Sequence, residues 1–473
     1  MADTDYTLTI NGEAVATDDH FEVINPATEA VVAAAPNARR EHVASAVEAA
    51  HKAAPSWSAT PYEARRDALY AFADRIAEQR EALAALLVAE QGKPLASAEA
   101  EVKSGIDYVT QLAAIRIDDE TLRDSSGQRI MLRHRPLGVV SGITAWNYPI
   151  QLAASKLAMA VATGNATIIK PSPYTPLTTL HLGELGRGVF PKGVLNVLSG
   201  LDPLGEWIVS HPGIAKVGFT GSGPTGQAIM RSGADNLKRV TLELGGNDAA
   251  IVLDDVDVDR VAQALFDSAF ENSGQLCNAI KRLYVHESRY YEVVGKLAEI
   301  ARGKTIGDGM DPATDLGPLQ NRNQYERVIG FLDDIRATGG EFVAGGKVPE
   351  GPGYFIEPSI VTGVSEGSRI VDEEPFGPIL PVLSFSTIDE AVERANRTTF
   401  GLGGSVWSSD WQRAESIARR LETGTAWVNQ HAALEPSIPS GGAKHSGVGV
   451  EYSRLGLLEY TVPQIININC GPG

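Results

Sequence analysis

From Val139 onward the chain alternates short, continuously apolar runs with longer segments whose apolar residues recur at helical spacing. VVSGITAW, ATIIKPS, VLNVLSG and KVGFT read as strands. QLAASKLAMAVATG, TTLHLGELGRGV, GEWIVSHP and GQAIMRSGA read as the helices that follow them. Strands that are apolar at every position are buried on both faces, which predicts a parallel sheet covered by helices. A second series follows in AAIVLDD, KRLYVHE, FIEPSIVTG, ILPVLSFS and AWVNQ, separated by helical runs such as DRVAQALFDSAF. Two α/β units in series are expected, with the break near 244–250. Upstream, YTLTI, NGEAV and FEVINPAT read as strand, turn and strand, and alanine-rich amphipathic helices fill 40–102. The segment 119–138 carries a DSSG turn between two polar stretches and predicts a projecting hairpin. The tail, YTVPQIININC, is a strand available for pairing elsewhere.

Length and charge narrow this picture. A chain of 473 residues exceeds one compact core, so two or three domains are expected. With 41 basic and 59 acidic residues the net charge is −18, which argues against nucleic acid or an anionic membrane as partner. The start, MADTDYTLTINGEAV, has no apolar core for a signal peptide, and no run of 18 apolar residues spans a membrane. Only two cysteines, Cys277 and Cys470, are present, and a reducing cytoplasm is the simpler setting. No metal site is expected.

Two stretches carry candidate chemistry. In VGFTGSGPTG, Gly221, Gly223 and Gly226 fit the G-x-G-x-x-G turn that lets a backbone approach a dinucleotide pyrophosphate. Glu243, in VTLELGG, lies near the distance at which such a turn has its ribose-binding acid, so it is either that hook or a group with separate work. In FENSGQLCNAIKR, Cys277 follows a Gly-Gln pair after a helix. A lone cysteine is more often a small buried apolar residue than a nucleophile, and only its surroundings distinguish the two.

Those surroundings resemble the aldehyde dehydrogenase superfamily. The matching segments are TAWNYPI (144–150), IIKPS (168–172), FTGSG (219–223), LELGGN (242–247), GQLC (274–277), EEPFGP (373–378) and GGAKHSG (441–447), in the family's order. The resemblance runs from FEVINPAT to GLLEYT, almost the whole chain. It implies a Rossmann-like cofactor domain (1–118 and 139–245), an α/β catalytic domain (246–445) and a small β oligomerisation element (119–138 and 459–473). It makes Cys277 the nucleophile toward an aldehyde, with Asn147 and the N–H of Cys277 as oxyanion donors. Glu243 becomes the base for thioester hydrolysis rather than a ribose hook. Lys156 and Glu451 match positions that pass protons away from the base, although both also read as ordinary helix and loop charges. For the cofactor, NAD with NADP as an alternative, the resemblance implies contacts from Trp146, Lys170, Gly221, Ser222, Glu374 and Phe376. It also implies a homodimer or homotetramer.

The chain departs from the pattern at two places. Pro173 stands where many NAD-preferring members carry a glutamate that repels a 2′-phosphate, and no arginine lies nearby to attract one. In the tunnel, expected to include Tyr148 and Leu152, Ser155, Glu271 and Ser440 occupy positions where Trp or Phe is frequent. A wide, polar tunnel is expected, with Glu271 favouring a cationic aldehyde such as an aminoaldehyde. Two competing readings are a CoA-acylating relative, against which Glu243 speaks, and an inactive binding protein, against which the complete residue set speaks.

Overall fold

A computed structural model describes residues 5–471; the first four residues and the last two, which the expected domain limits include, lie outside it. The first series builds an eight-stranded sheet. Its spatial order is Glu13–Val15, Leu8–Ile10, Leu195–Val197, Ala166–Lys170, Val139–Ile143, Lys216–Thr220, Arg239–Glu243 and Gly447–Val448. The five strands from Leu195–Val197 to Arg239–Glu243 are mutually parallel. Their order reverses between Val139–Ile143 and Lys216–Thr220: the chain first moves outward on one side, then returns to extend the other. In doubly wound sheets a ligand crevice opens at the carboxyl ends of the strands at such a point. The helix Pro149–Ala162 follows the first of these strands and is buried on nearly every side, as its almost uniformly apolar sequence requires.

The second series forms a seven-stranded sheet, ordered Glu341–Ala344, Ser359–Thr362, Ile379–Phe385, Ile280–His286, Asp248–Val252, Gly403–Trp407 and Thr425–Val428. The turn between the sheets falls between Glu243 and Asp248, inside the expected break. Gly403–Trp407 is a strand that the pattern does not reveal, because GLGGSVW looks like a loop. Its glycine is a packing requirement: a Cβ at Gly403 would lie 2.4 Å from Asp248 Oδ2 and 2.5 Å from the Trp427 ring. The chain also returns late to the first sheet, where Gly447 pairs antiparallel with Glu243.

The hairpin forms from Glu120–Asp124 and Gln128–Pro136, and the tail strand Thr461–Asn469 pairs antiparallel along the whole of its second strand. Among the described residues no helix is long and apolar enough to cross a membrane.

Candidate active site

A cleft of about 960 Å³ lies between the sheets, and Asn147, Glu243 and Cys277 all line it. Asn147 follows the strand Val139–Ile143, Gly221 follows Lys216–Thr220 and Glu243 ends the neighbouring strand, so the order reversal places all three at one mouth. The backbone joins the glycine turn to the glutamate, since Gly221 N donates to Glu243 O at 3.0 Å. The Glu243 side chain has a different environment.

Burial, then the charge of Glu451, raises the pKa of Glu243 well above the carboxylate range, against the opposing charge of Lys156. Its Oε1 is buried without a protein partner. A carboxyl held in this way retains its proton to a pH where an ordinary glutamate is ionised, and is a stronger base once it loses it. Lys156 and Glu451 are paired and almost wholly buried, and one oxygen of Glu451 also lacks a protein partner. They are therefore not the solvated charges their sequence neighbourhood permits.

Cys277 is free and half-buried. Burial pushes its pKa up to about 12; Lys281 opposes this, and Glu243, Glu374 and Asp248 reinforce it. The resting thiol is protonated, so a base must remove its proton before attack. Cys277 is held by an unusual elbow: Asn272, Ser273 and Gly274 have φ of 50°, 57° and 75° in succession. Only Gly274 takes that conformation without strain, and a Cβ there would stand 2.2 Å from Gly377 O. Lys281 clamps the other side, donating to the carbonyls of Leu276 at 2.9 Å and Cys277 at 2.5 Å. The amide of Asn147 donates to Gln275 O at 3.0 Å. Among the described residues this is its only acceptor, which leaves its second N–H for the cleft.

The same cleft has the features of a dinucleotide site. Gly221, Ser222 and Gly223 line it at the start of the helix Gly223–Ala234, whose first N–H groups have no side-chain cap. Glu374 accepts from Gly246 N at 3.1 Å and pairs with Lys281 at 3.2 Å. It approaches the backbone so closely that a Cβ on Gly245 would lie 2.1 Å from its Oε2. Trp146 and Phe376 meet edge to face, with centroids 5.3 Å apart. A pyrophosphate fits the free amides, and ribose hydroxyls fit the Glu374 carboxylate. Lys170 is not on this wall. It is buried at the end of its strand, where burial lowers its pKa to about 8 and its Nζ donates to Pro171 O at 3.0 Å.

The tunnel differs from the expectation. Tyr148, Leu152 and Glu271 line the cleft, and Tyr148 Oη donates to Glu271 at 2.6 Å. Ser155 and Ser440 are not part of the wall. Ser155 is fully buried and its hydroxyl donates to Leu152 O at 3.2 Å. Ser440 exchanges two backbone hydrogen bonds with Glu451 and so holds the Glu451 loop. Tyr108 and Tyr452, which sequence reasoning missed, form the wall instead, with ring centroids 4.6 Å apart. The tunnel is therefore more aromatic than expected. Neither Tyr108 nor Tyr452 lies in a matched segment, so nothing local in the sequence marks them as wall residues.

Comparison with known proteins agrees with this geometry. Residues 14–466 match the model of the aldehyde dehydrogenase family. A putative aldehyde dehydrogenase, FUS7, of Gibberella fujikuroi is 39% identical over 97% of this chain and 97% of its own. A betaine aldehyde dehydrogenase of Rhizobium leguminosarum is 38% identical, with 98% of this chain and 97% of its own covered. The NAD+ complex of an aldehyde dehydrogenase from Bacillus cereus superposes with a TM-score of 0.96 at 36% identity, covering 98% of this chain and 97% of that one. Fold, cleft and whole-length similarity lead to one conclusion: the chain belongs to the aldehyde dehydrogenase family.

Proposed function

We propose that this enzyme oxidises its aldehyde to a carboxylic acid through Cys277, with Glu243 as the hydrolytic base. The observation that carries the reading is the convergence of a free thiol, an amide donor and a buried carboxylate with a partnerless oxygen on one cleft. Glu243, ionised, receives the Cys277 proton, and the sulfur adds to the aldehyde carbon to give a thiohemiacetal. Asn147 and the N–H of Cys277 stabilise the resulting oxyanion. The glycine turn and Glu374 would hold NAD(P)+, which would supply the hydride acceptor needed to convert the adduct to a thioester. Glu243 releases the Cys277 proton before deacylation, then takes one from the water that attacks the thioester; as the acid leaves, the Cys277 sulfur recovers that proton from Glu243. The buried Lys156–Glu451 pair adjoins Glu243 and offers the proton a route away.

We take NAD+ as the preferred cofactor, with NADP+ admitted because Pro173 brings no carboxylate to repel a 2′-phosphate. The charge of Glu271 beside Tyr148 at the cleft favours a polar, cationic aldehyde. Equal kcat/KM for an aminoaldehyde and its neutral isostere removes that preference. The cytoplasm suits a nucleophilic thiol that must stay reduced, and the three-stranded sheet supports assembly into dimers or tetramers.

The decisive experiment follows reduced cofactor on mixing enzyme, NAD+ and propanal. Cys277→Ala is expected to abolish the signal. Glu243→Gln is expected to give no more than one equivalent per site, and that slowly, because it lacks the base for both the thiol and the water. Steady turnover by either variant refutes the mechanism, and CoA-dependent turnover by the parent supports the acylating alternative.

A further inference from the structure

One buried ion pair beside the cleft takes no part in the steps above. Lys93, in the connection after the helix Arg80–Gln91, is 1% exposed, and Glu101, on the helix Leu95–Ala113, is 2% exposed. The three N–H bonds of the Lys93 ammonium have three partners. Nζ lies 2.5 Å from Glu101 Oε2, donates to the main-chain carbonyl of Asn147 at 2.9 Å, and stands 3.7 Å from the centroid of the Tyr148 ring. The other oxygen of Glu101 accepts from Ile150 N at 2.9 Å and Gln151 N at 3.3 Å, at the start of the helix Pro149–Ala162. That helix has no side-chain cap of its own from Tyr148, so Glu101 supplies one from a different helix. One ion pair thus holds the segment 147–151 at both ends.

A second path reaches the same carbonyl from the nucleophile. Asn272, in the left-handed elbow before Cys277, donates through Nδ2 to Asn147 O at 3.2 Å. Its Oδ1 accepts from Gln91 Nε2 at 3.2 Å, and Gln91 Oε1 accepts from Lys93 N at 3.0 Å. The Lys93 connection therefore links the elbow and the oxyanion segment across the two sheets.

We propose that Lys93 and Glu101 are a positioning pair, which aims the Asn147 amide at the Cys277 adduct through Asn147's own carbonyl and fixes Tyr148 in the tunnel wall. The inference rests on the reading of Asn147 as oxyanion donor. Neither charge touches the reacting atoms. Their effect is geometric, and oxyanion stabilisation is sensitive to displacements below 1 Å.

The test compares turnover of NAD+ and propanal by the parent, Lys93→Met with Glu101→Gln, Asn147→Ala, and the triple variant. The paired change removes both charges at nearly constant volume, so no unpaired ion is left buried. Its kcat is expected to fall about 10- to 100-fold, with KM for NAD+ unchanged. In the Asn147→Ala background the same change is expected to cost no more than about twofold, because two changes acting through one group are not additive. If the double variant does not fold, Glu101→Gln, which keeps the acceptor for the helix start, is measured in the parent and Asn147→Ala backgrounds, where the cost of the unpaired Lys93 charge is common to both and drops out of the comparison. Full additivity overturns the inference. So does unchanged kcat in the charge-free enzyme while Asn147→Ala is impaired. Parental turnover by Asn147→Ala overturns the oxyanion reading itself, and this inference with it.

Discussion

Glu243 illustrates how one side chain's work is decided by its neighbours' charges. Its carboxyl is raised by burial and Glu451 and lowered by Lys156, so deacylation is expected to fail on acidification at a pH above the ordinary carboxylate range. The sign at each neighbour follows. Glu451→Gln removes a negative charge and eases ionisation of Glu243, which moves the acid limb of single-turnover deacylation to lower pH. Lys156→Met removes the opposing positive charge and moves it to higher pH. Stopped-flow decay of the thioester across pH checks both; coincident limbs in the three enzymes would refute the coupling. At this scale the sequence was readable where chemistry has a motif. TAWNYPI, LELGGN and GQLC singled out Asn147, Glu243 and Cys277, and the fold brings these three to one cleft. Ser155 and Ser440 were not legible, because whether a side chain faces a tunnel depends on which way its helix or loop is turned, and the neighbouring rings of Tyr108 and Tyr452 take that wall.

At the scale of elements, the elbow before Cys277 matters more than any regular strand. Three successive residues with positive φ aim the cysteine, and Gly274 is where a side chain is least tolerated. Gly274→Ala introduces both positive-φ strain and a Cβ clash with the main chain of Gly377, and is expected to destabilise the protein by about 1–3 kcal/mol. Cofactor reduction is expected to fall with it, because the sulfur and the Asn147 amide lose register. Urea unfolding and turnover on the same samples check this, and a fully active, fully stable variant would show that the elbow is dispensable. The alternating α/β pattern was legible because buried parallel strands announce themselves as apolar runs. Gly403–Trp407 was not, since Gly403 is demanded by Asp248 and Trp427, residues remote in sequence.

At the scale of the whole molecule, the third sheet leaves Val462, Ile465 and Ile468 exposed on the tail strand and Leu122 exposed on the hairpin. Apolar side chains on a two-sided ribbon outside the main core mark a surface awaiting cover. Ile465→Asp with Ile468→Asp is expected to lower the mass seen by light scattering to that of a smaller assembly, with the fold retained by circular dichroism; an unchanged mass would remove this ribbon from the interface. Periodicity, spacing and order of motifs were enough to determine two wound α/β units, the break between them and the chemical types at the site, because those properties are written in local runs of residues. Which side chains share the cleft, why Lys156 and Glu451 are buried rather than solvated, and how Lys93 reaches Asn147 were decided only by tertiary structure. These are distances between segments far apart in the chain, and no local pattern encodes a distance that only packing sets.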